Sequence, residues 1–368
     1  MDIREEIDAV IIDFAKAFDK VPHDKLIAKI RKLNIDHRVI NWVQLFLKNR
    51  KQKVRIGDAF SKETDITSGI PQGSVLGPLL FLIYVNDLPA NIKSEIRLFA
   101  DDCILYRCIT TPHDRELFQN DLNQISEWTK LNGMEINVTK CKHINFSRKK
   151  CIAQHFYHLN YINISAATEF KYLGVRLTDS LKWGKHVEDI VAKAYRNLHF
   201  VMRNLKSSGK GVRERAFKSL VRPIIEYATS VWDPHESGLI RKLEGVQRKA
   251  ARYVLGKHRK ADSVSKMLAH LKWESLESRR KIYRLTGMFK SWNSAEGWGE
   301  LNSRLKLPNY VGRGNHGLKI RECNQKTDIA KYSFINRGIR DWNALPGEVL
   351  LPMPKNVKTF RNRLKSNS

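Results

Sequence analysis

Residues 98–106 read LFADDCILY, two adjacent aspartates between two short apolar runs. Like charges side by side repel, and a carboxylate at the edge of an apolar core is costly to desolvate. The stretch therefore reads as strand, turn, strand over 96–106, a hairpin that carries Asp101 and Asp102 at its turn. A second apolar run, AVII at 9–12, ends on Asp13 and reads as another buried strand. If the two strands are neighbours in one sheet, three carboxylates meet at one edge. Oxygen-only ligands there suit Mg²⁺ or Mn²⁺, and two such ions can serve the attacking and leaving oxygens of a phosphoryl transfer. Taken singly, each acid also fits a commoner role, the Asp-Asp pair as a turn former and Asp13 as a helix cap.

The surrounding pattern is that of a mixed α+β domain. After Asp13, Pro22 breaks the chain, and Asp24 is placed to cap a helix over 25–33 with Leu26, Ile27, Ile30 and Leu33 on one face. A helix over 37–48 is expected to bury Val39, Ile40, Val43 and Phe46/Leu47, and residues 52–66 read as a polar hairpin around Gly57-Asp58. SGIPQGSVLGP (68–78) has glycines at 69, 73 and 77, but no Gly-Lys-Ser/Thr follows, so it is not a P-loop. It offers close backbone approach at Gly73 and a bend at Pro71 that presents Gln72, although a plain turn would read the same way. An apolar helix follows, then an amphipathic one over 115–131 that stops at Asn132-Gly133. From 185 onward the pattern is mainly helical and basic. Trp128, Trp183, Trp232 and Trp273 read as core residues rather than stacking platforms.

Charge divides the chain. Residues 1–180 hold 26 Lys/Arg against 22 Asp/Glu, whereas residues 181–368 hold 40 against 16, out of a total of +28. A basic half beside an acidic site suggests a polyanion gripped by one part and worked on by another. Five cysteines (103, 108, 141, 151, 323) make an odd, irregular set that fits a reducing compartment better than a disulfide framework. Cys151, His155 and His158 have ligand-like spacing, but no second cysteine pair completes a zinc site. The longest apolar run, 76–85, is too short to span a bilayer, and no signal peptide is evident, so an intracellular protein is expected, in cytoplasm or nucleus.

Three segments in order, DFAKAFDKVPH (13–23), SGIPQGSVLGPLLFLIYVNDL (68–88) and LFADDCILYR (98–107), closely resemble the palm motifs of reverse transcriptases from LINE-type (non-LTR) retrotransposons, in particular the Jockey-like and chicken-repeat-like group. The likeness continues through NGMEINVTKCKHINFS (132–147) and FKYLGVRL (170–177), and into VRPIIEYATSVWDP (221–234), LEGVQRKAARYVLG (243–256) and SFINRGIRDWNALPGEV (333–349). The resemblance implies a right-hand polymerase fold and RNA-directed DNA synthesis with an RNA template, a DNA primer or target, and dNTPs. It implies that Asp13 and Asp101 hold two Mg²⁺ (or Mn²⁺) ions, with Asp102 assisting and Phe14 lending its carbonyl. Phe18 matches a gate under the incoming sugar, and Gln72 and Gly73 match contacts to the incoming nucleotide. Phe170, Tyr172, Leu173 and Gly174 resemble a primer grip. Lys140 falls where the family often has a lysine near the leaving pyrophosphate; a solvated lysine fits that position equally well.

The expected organisation is a palm over 1–180, a helical thumb-like region over 181–260 and a basic C-terminal domain over 261–368. Arg196, Arg203, Lys206, Lys210, Arg213, Arg215 and Lys218 are the expected nucleic-acid contacts on the thumb. In the family, a fingers subdomain and an endonuclease precede the first motif, whereas here Asp13 lies twelve residues from the start. A truncated copy is therefore expected, with a non-catalytic nucleic-acid-binding remnant as the alternative function. No membrane partner is expected.

Overall fold

A computed structural model of the 368-residue chain describes residues 6–147, 155–257, 262–293, 305–308 and 317–367. The chain divides into two compact units, one of Arg4–Gly174 with Thr178–Ser180, the other including Val175–Leu177 and Leu181–Ser368. Among the described residues, no helix is long and apolar enough to cross a membrane. Of the ligand-spaced trio, Cys151 lies outside the described residues.

The first unit is built on strand β1 (Glu6–Asp13). Its near-continuous apolar run suits a strand paired on both edges, with Asp8, Val10 and Ile12 buried on one face and Ile7 and Ile11 half-buried on the other. The helices α1 (His23–Arg31), α2 (His37–Leu47), α3 (Leu76–Val85) and α4 (Pro112–Asn132) follow it along the chain. A hairpin arm of two-residue strands, β2 (Lys51–Gln52), β3 (Arg55–Ile56), β4 (Ala59–Phe60) and β5 (Thr64–Asp65), lies between α2 and α3. Strands β6 (Glu95–Phe99), β7 (Asp102–Ile109) and β8 (Lys142–Phe146) join β1, and after the short hairpin of β9 (His158–Leu159) and β10 (Ile162–Asn163) comes β11 (Ser165–Ala166). The five-stranded sheet runs β11-β8-β1-β7-β6, with β1 antiparallel to both β7 and β8. Alternate β1 residues Val10 and Ile12 enter one core with Leu26, Ile30, Phe81, Tyr84, Phe118, Leu122 and Ile125. That core fixes the register, since a one-residue slip would turn every β1 side chain to the other face.

Two helix details depart from the sequence expectation. Helix α1 starts one residue before Asp24, with Pro22 at the N-cap, so Asp24 lies in the first turn, where its charge suits the helix dipole. In α2 the buried stripe is Ile40, Val43 and Leu47, and Val39 is 46% exposed. Spacings of three and four residues put the three on one face, and Val39 falls off its edge. Helix α4 is stopped at Gly133, in the left-handed conformation that glycine accepts most readily.

The head of β1 carries a buried polar network that its apolar neighbours conceal in the sequence. The Asp8 carboxylate accepts hydrogen bonds from the Tyr157 hydroxyl (2.6 Å) and Asn145 Nδ2 (2.6 Å) and pairs with His143 Nε2 (3.2 Å). Arg115 pairs with Glu6 at 2.5 Å.

The second unit is helical. One core gathers Val187, Leu198, Phe217, Trp232, Leu243, Val246 and Trp273; another gathers Leu285, Met288, Phe289, Trp342 and Phe360. Trp232 and Trp273 are thus core residues, and Trp128 and Trp183 pack against the cores of their own units. Asp233 anchors an ionic hub: Arg280 Nε donates at 2.7 Å, Arg337 lies at 3.2 Å, and Arg284 bridges Asp233 and Asp341. Arg280 is 2% exposed, and its two terminal nitrogens have no hydrogen-bond partner.

Candidate active site

Antiparallel pairing of β1 with β7 sets Asp13 directly opposite Asp102. Hairpin β6–β7 places Asp101 in the adjoining turn, where Ala100 takes a φ of 51°. The two strands therefore deliver three carboxylates to one end of the sheet. Their proximity shows in Asp102, whose carboxyl titrates above the ordinary range because of burial first, then the charges of Asp101 and Asp13. Among the described residues, no three His, Cys, Asp or Glu side chains form a ready-made metal-binding group.

The Asp13 peptide is pinned on both sides. Its N–H donates to Cys141 Sγ at 3.5 Å, and its carbonyl accepts from the Asn137 N–H at 2.8 Å. The buried Cys141 thiol is pushed up to about 11, chiefly by burial, and the Cys103 thiol beside Asp102 to about 12 for the same reason. Both stay protonated at neutral pH and add no charge to the acids. Lys140 is exposed in the turn that Asn137 opens, its own N–H donating to the Asn137 carbonyl at 3.0 Å.

Phe14 is buried and forms a bridge with Ile136. Phe18 stacks on Phe81 with ring centres 4.5 Å apart. The glycine-rich loop is stitched to the turn that follows Phe18. Ile70 N–H donates to the Phe18 carbonyl and Gly69 N–H to the Val21 carbonyl, each at 2.8 Å. Gln72 Nε2 donates to Asp19 Oδ1 at 3.0 Å. The Gly69 carbonyl is gripped by His23 Nε2 and an Arg50 guanidinium nitrogen, both at 2.8 Å. A Cβ on Gly69 would lie 2.6 Å from the Asp19 carbonyl oxygen, whereas one on Gly73 would meet nothing within 4 Å. Close packing of the chain on itself thus falls at Gly69, and at Gly77 against the Pro71 carbonyl oxygen, whereas Gly73 is open on its Cβ side and is required for its φ of 81°.

Strand β12 (Glu169–Tyr172) carries Phe170 and Tyr172, both half-buried, and Leu173 and Gly174 follow with φ of 45° and 80°. The Tyr172 hydroxyl titrates above its ordinary value through burial, then through Cys103 and Asp102, which places it beside the acids. The roles of His23, Arg50, Asn137 and Cys141 leave no mark in the sequence, because each acts on a partner far along the chain. In the second unit, Arg196, Arg203, Lys206 and Arg215 are exposed. Lys210 faces His270 at 3.0 Å, Arg213 is committed to the Lys206 and Tyr253 carbonyls, and Lys218 to Glu214.

The family profile described as reverse transcriptase (RNA-dependent DNA polymerase) matches residues 3–177. Among curated proteins, a probable RNA-directed DNA polymerase from the X-element transposon of Drosophila melanogaster is 29% identical over 268 residues, and that of the mobile element jockey from the same species is 25% identical over 269. Residues 3–177 thus match the reverse transcriptase family, and the relatives of this chain are polymerases of transposable elements. The alignments cover 69% and 70% of this chain and 29% of each relative, so the chain spans under a third of the relatives' length. A solved telomerase from Candida Tropicalis in complex with a fragment of telomeric RNA is 11% identical, with a TM-score of 0.39, over 80% of this chain and 48% of its own. The matched segment contains the whole five-stranded sheet, the three aspartates and the glycine-rich loop.

Proposed function

We propose that this chain performs RNA-templated DNA synthesis. In that reaction the primer 3′-hydroxyl attacks the α-phosphate of a dNTP, a new P–O bond forms, and the bond to pyrophosphate breaks. The observation that carries the reading is the pairing of Asp13 with Asp102 across adjacent strands, with Asp101 in the next turn. Three oxygen donors whose charges oppose one another fit a hard divalent cation. Asp13 and Asp101, with Asp102 and the Phe14 carbonyl, would hold two Mg²⁺ or Mn²⁺ ions, which supply charge stabilisation at the attacking and leaving oxygens when bound.

The chain's own residues do the positioning. Phe18, stacked on Phe81, presents a flat wall that limits the sugar. Gln72 is steadied by Asp19 to contact the incoming nucleotide together with Gly73, and Tyr172 and Phe170 hold the primer end near the acids. Lys140 would donate a proton toward the departing pyrophosphate. Residues 181–260 would act as a thumb and 261–368 as a basic C-terminal domain. Arg196, Arg203, Lys206 and Arg215 are the cations best placed for phosphate, since Lys210, Arg213 and Lys218 are already engaged.

Primer extension on an RNA template with Mg²⁺ or Mn²⁺ tests this. Asp101→Asn should abolish extension that the parent chain supports; extension that survives the substitution would sink the metal assignment. Phe18→Ala should admit ribonucleotides, and unchanged sugar selectivity would remove its gate role.

A further inference from the structure

The arm between α2 and the glycine-rich loop stands apart from the rest of its unit. Residues 51–65 are exposed at every position, held by the β2–β5 and β3–β4 ladders and by the Ser61–Val54 hydrogen bonds between them. A two-stranded hairpin with no core behind it is marginal in water. This one nonetheless leaves Val54, Ile56 and Phe60 at 62%, 78% and 56% exposure. Its charge is lopsided. The outgoing stretch 48–55 carries Lys48, Arg50, Lys51, Lys53 and Arg55 with no acid, while 58–65 carries Asp58, Glu63 and Asp65 with Lys62 alone opposing them.

The arm's ion pairs are loose. Lys51 and Lys53 each lie 3.9 Å from Glu63, and Arg55 lies 3.5 Å from Asp58, all of them exposed. Such pairs contribute little and exchange readily for another anion. Lys53 Nζ and the Arg55 guanidinium lie 4.8 Å and 5.4 Å from the centre of the Phe60 ring, so two cations and an aromatic share one side. The root, by contrast, is fixed. Ile66 N–H donates to the Arg50 carbonyl at 2.9 Å, and Arg50 in turn grips the Gly69 carbonyl of the loop that carries Gln72 and Gly73.

We propose that this arm is a contact for single-stranded nucleic acid, with Lys51, Lys53 and Arg55 on the sugar-phosphate backbone and Phe60 stacked with a base. It rests on the reading of the chain as a nucleic-acid polymerase. An aromatic side chain set among cations is the recurring grip on single strands, because every base has a π-face and every nucleotide a phosphate. A membrane surface fits less well, since a flat anionic layer would meet both edges of the hairpin, the three acids of the returning strand included, whereas a single strand can follow the basic edge alone. Through Arg50, a strand seated on the arm lies on the same rigid element as the nucleotide-contacting loop.

The test is fluorescence anisotropy of the full chain with a labelled short single-stranded RNA across a salt series. It compares the parent with Phe60→Ala and with the triple substitution Lys51→Gln, Lys53→Gln, Arg55→Gln. Phe60→Ala should weaken binding about tenfold with the salt dependence unchanged, as expected for one lost base stack. The triple variant should lower the slope of log affinity against log salt by about 2, as expected for three lost phosphate contacts. Thermal melting should leave both variants at the parent midpoint, because the altered side chains are exposed. Parent-like affinity and slope in both variants would overturn the arm proposal. So would unaltered RNA binding accompanied by lost binding to phosphatidylserine vesicles or lost self-association. A parent chain that fails to bind RNA at all would overturn the polymerase reading together with it.

Discussion

Gly69 and Gly73 share one loop and one sign of φ, +87° and +81°, yet alanine at the two positions should have different costs. Both substitutions put an L-residue in the left-handed region, at about 1–2 kcal/mol. At Gly73 nothing lies within 4 Å of the new Cβ, so that strain is the whole cost. At Gly69 the Cβ arrives 2.6 Å from the Asp19 carbonyl oxygen and 2.8 Å from its carbonyl carbon and Cα. These are backbone atoms and cannot swing aside. Relief requires the loop to part from the 18–21 turn, which loosens the Gly69-to-Val21 and Ile70-to-Phe18 hydrogen bonds, each worth about 1 kcal/mol net. Gly69→Ala should therefore cost about 3–4 kcal/mol against about 1–2 for Gly73→Ala, a large share of a typical stability of about 5–15 kcal/mol. Urea denaturation followed by far-UV circular dichroism measures the difference, and hydrogen exchange at the Ile70 amide shows whether the loop has parted. Equal costs for the two variants, or an Ile70 amide as protected as in the parent, would refute the backbone-clash reasoning.

Two further outcomes are expected. Burial pushes the Asp8 carboxyl up, but hydrogen bonds from His143, Tyr157 and Asn145 outweigh it and hold Asp8 below its ordinary 3.8. Its contribution is complete above the unfolded value and is lost as pH falls through the lower folded one. Tyr157→Phe should thus lower stability at neutral pH by about 1.5–3 kcal/mol and flatten the acid-side dependence below pH 4, the curves converging at the lowest pH; parallel curves in acid titrations of stability would contradict this. In the second unit, Asp233→Ala strands the guanidinium groups of Arg280, Arg284 and Arg337 and should cost about 3–5 kcal/mol. Arg280→Met leaves Asp233 with two partners and removes two unpartnered nitrogens, so its cost should stay below about 1.5 kcal/mol in thermal unfolding. Similar losses for both would show that Arg280 is essential to the hub.

The candidate acids were legible because they sit where periodicity breaks: a carboxylate that ends an apolar run marks a strand end, and two together between such runs mark a hairpin turn. The register that brings Asp13 opposite Asp102 was not, since it depends on which strands become neighbours. Helix existence followed from apolar spacing, but the edge of a stripe did not, as Val39 shows. Asp8 was hidden for a related reason. A carboxylate at the head of a buried strand looks like a polar terminus until Tyr157, His143 and Asn145, more than 130 residues away, supply its hydrogen bonds. Gly69 was visible as a glycine, but the backbone it accommodates belongs to Asp19, fifty residues earlier.

Strand β1 pairs on both sides, and its last residue meets Asp102. The candidate site is therefore encoded by counting as much as by residue identity: the number of peptide units from Glu6 to Asp13 must match that from Asp102 to Ile109. Point changes along these strands alter packing by degrees and leave the count intact. A single-codon deletion within either strand moves one carboxylate to the opposite face and disassembles the group at a stroke. Lineages descending from this sequence should thus tolerate substitution at the apolar positions of β1 and β7 far better than length change, and should keep their insertions in the arm and the surface loops.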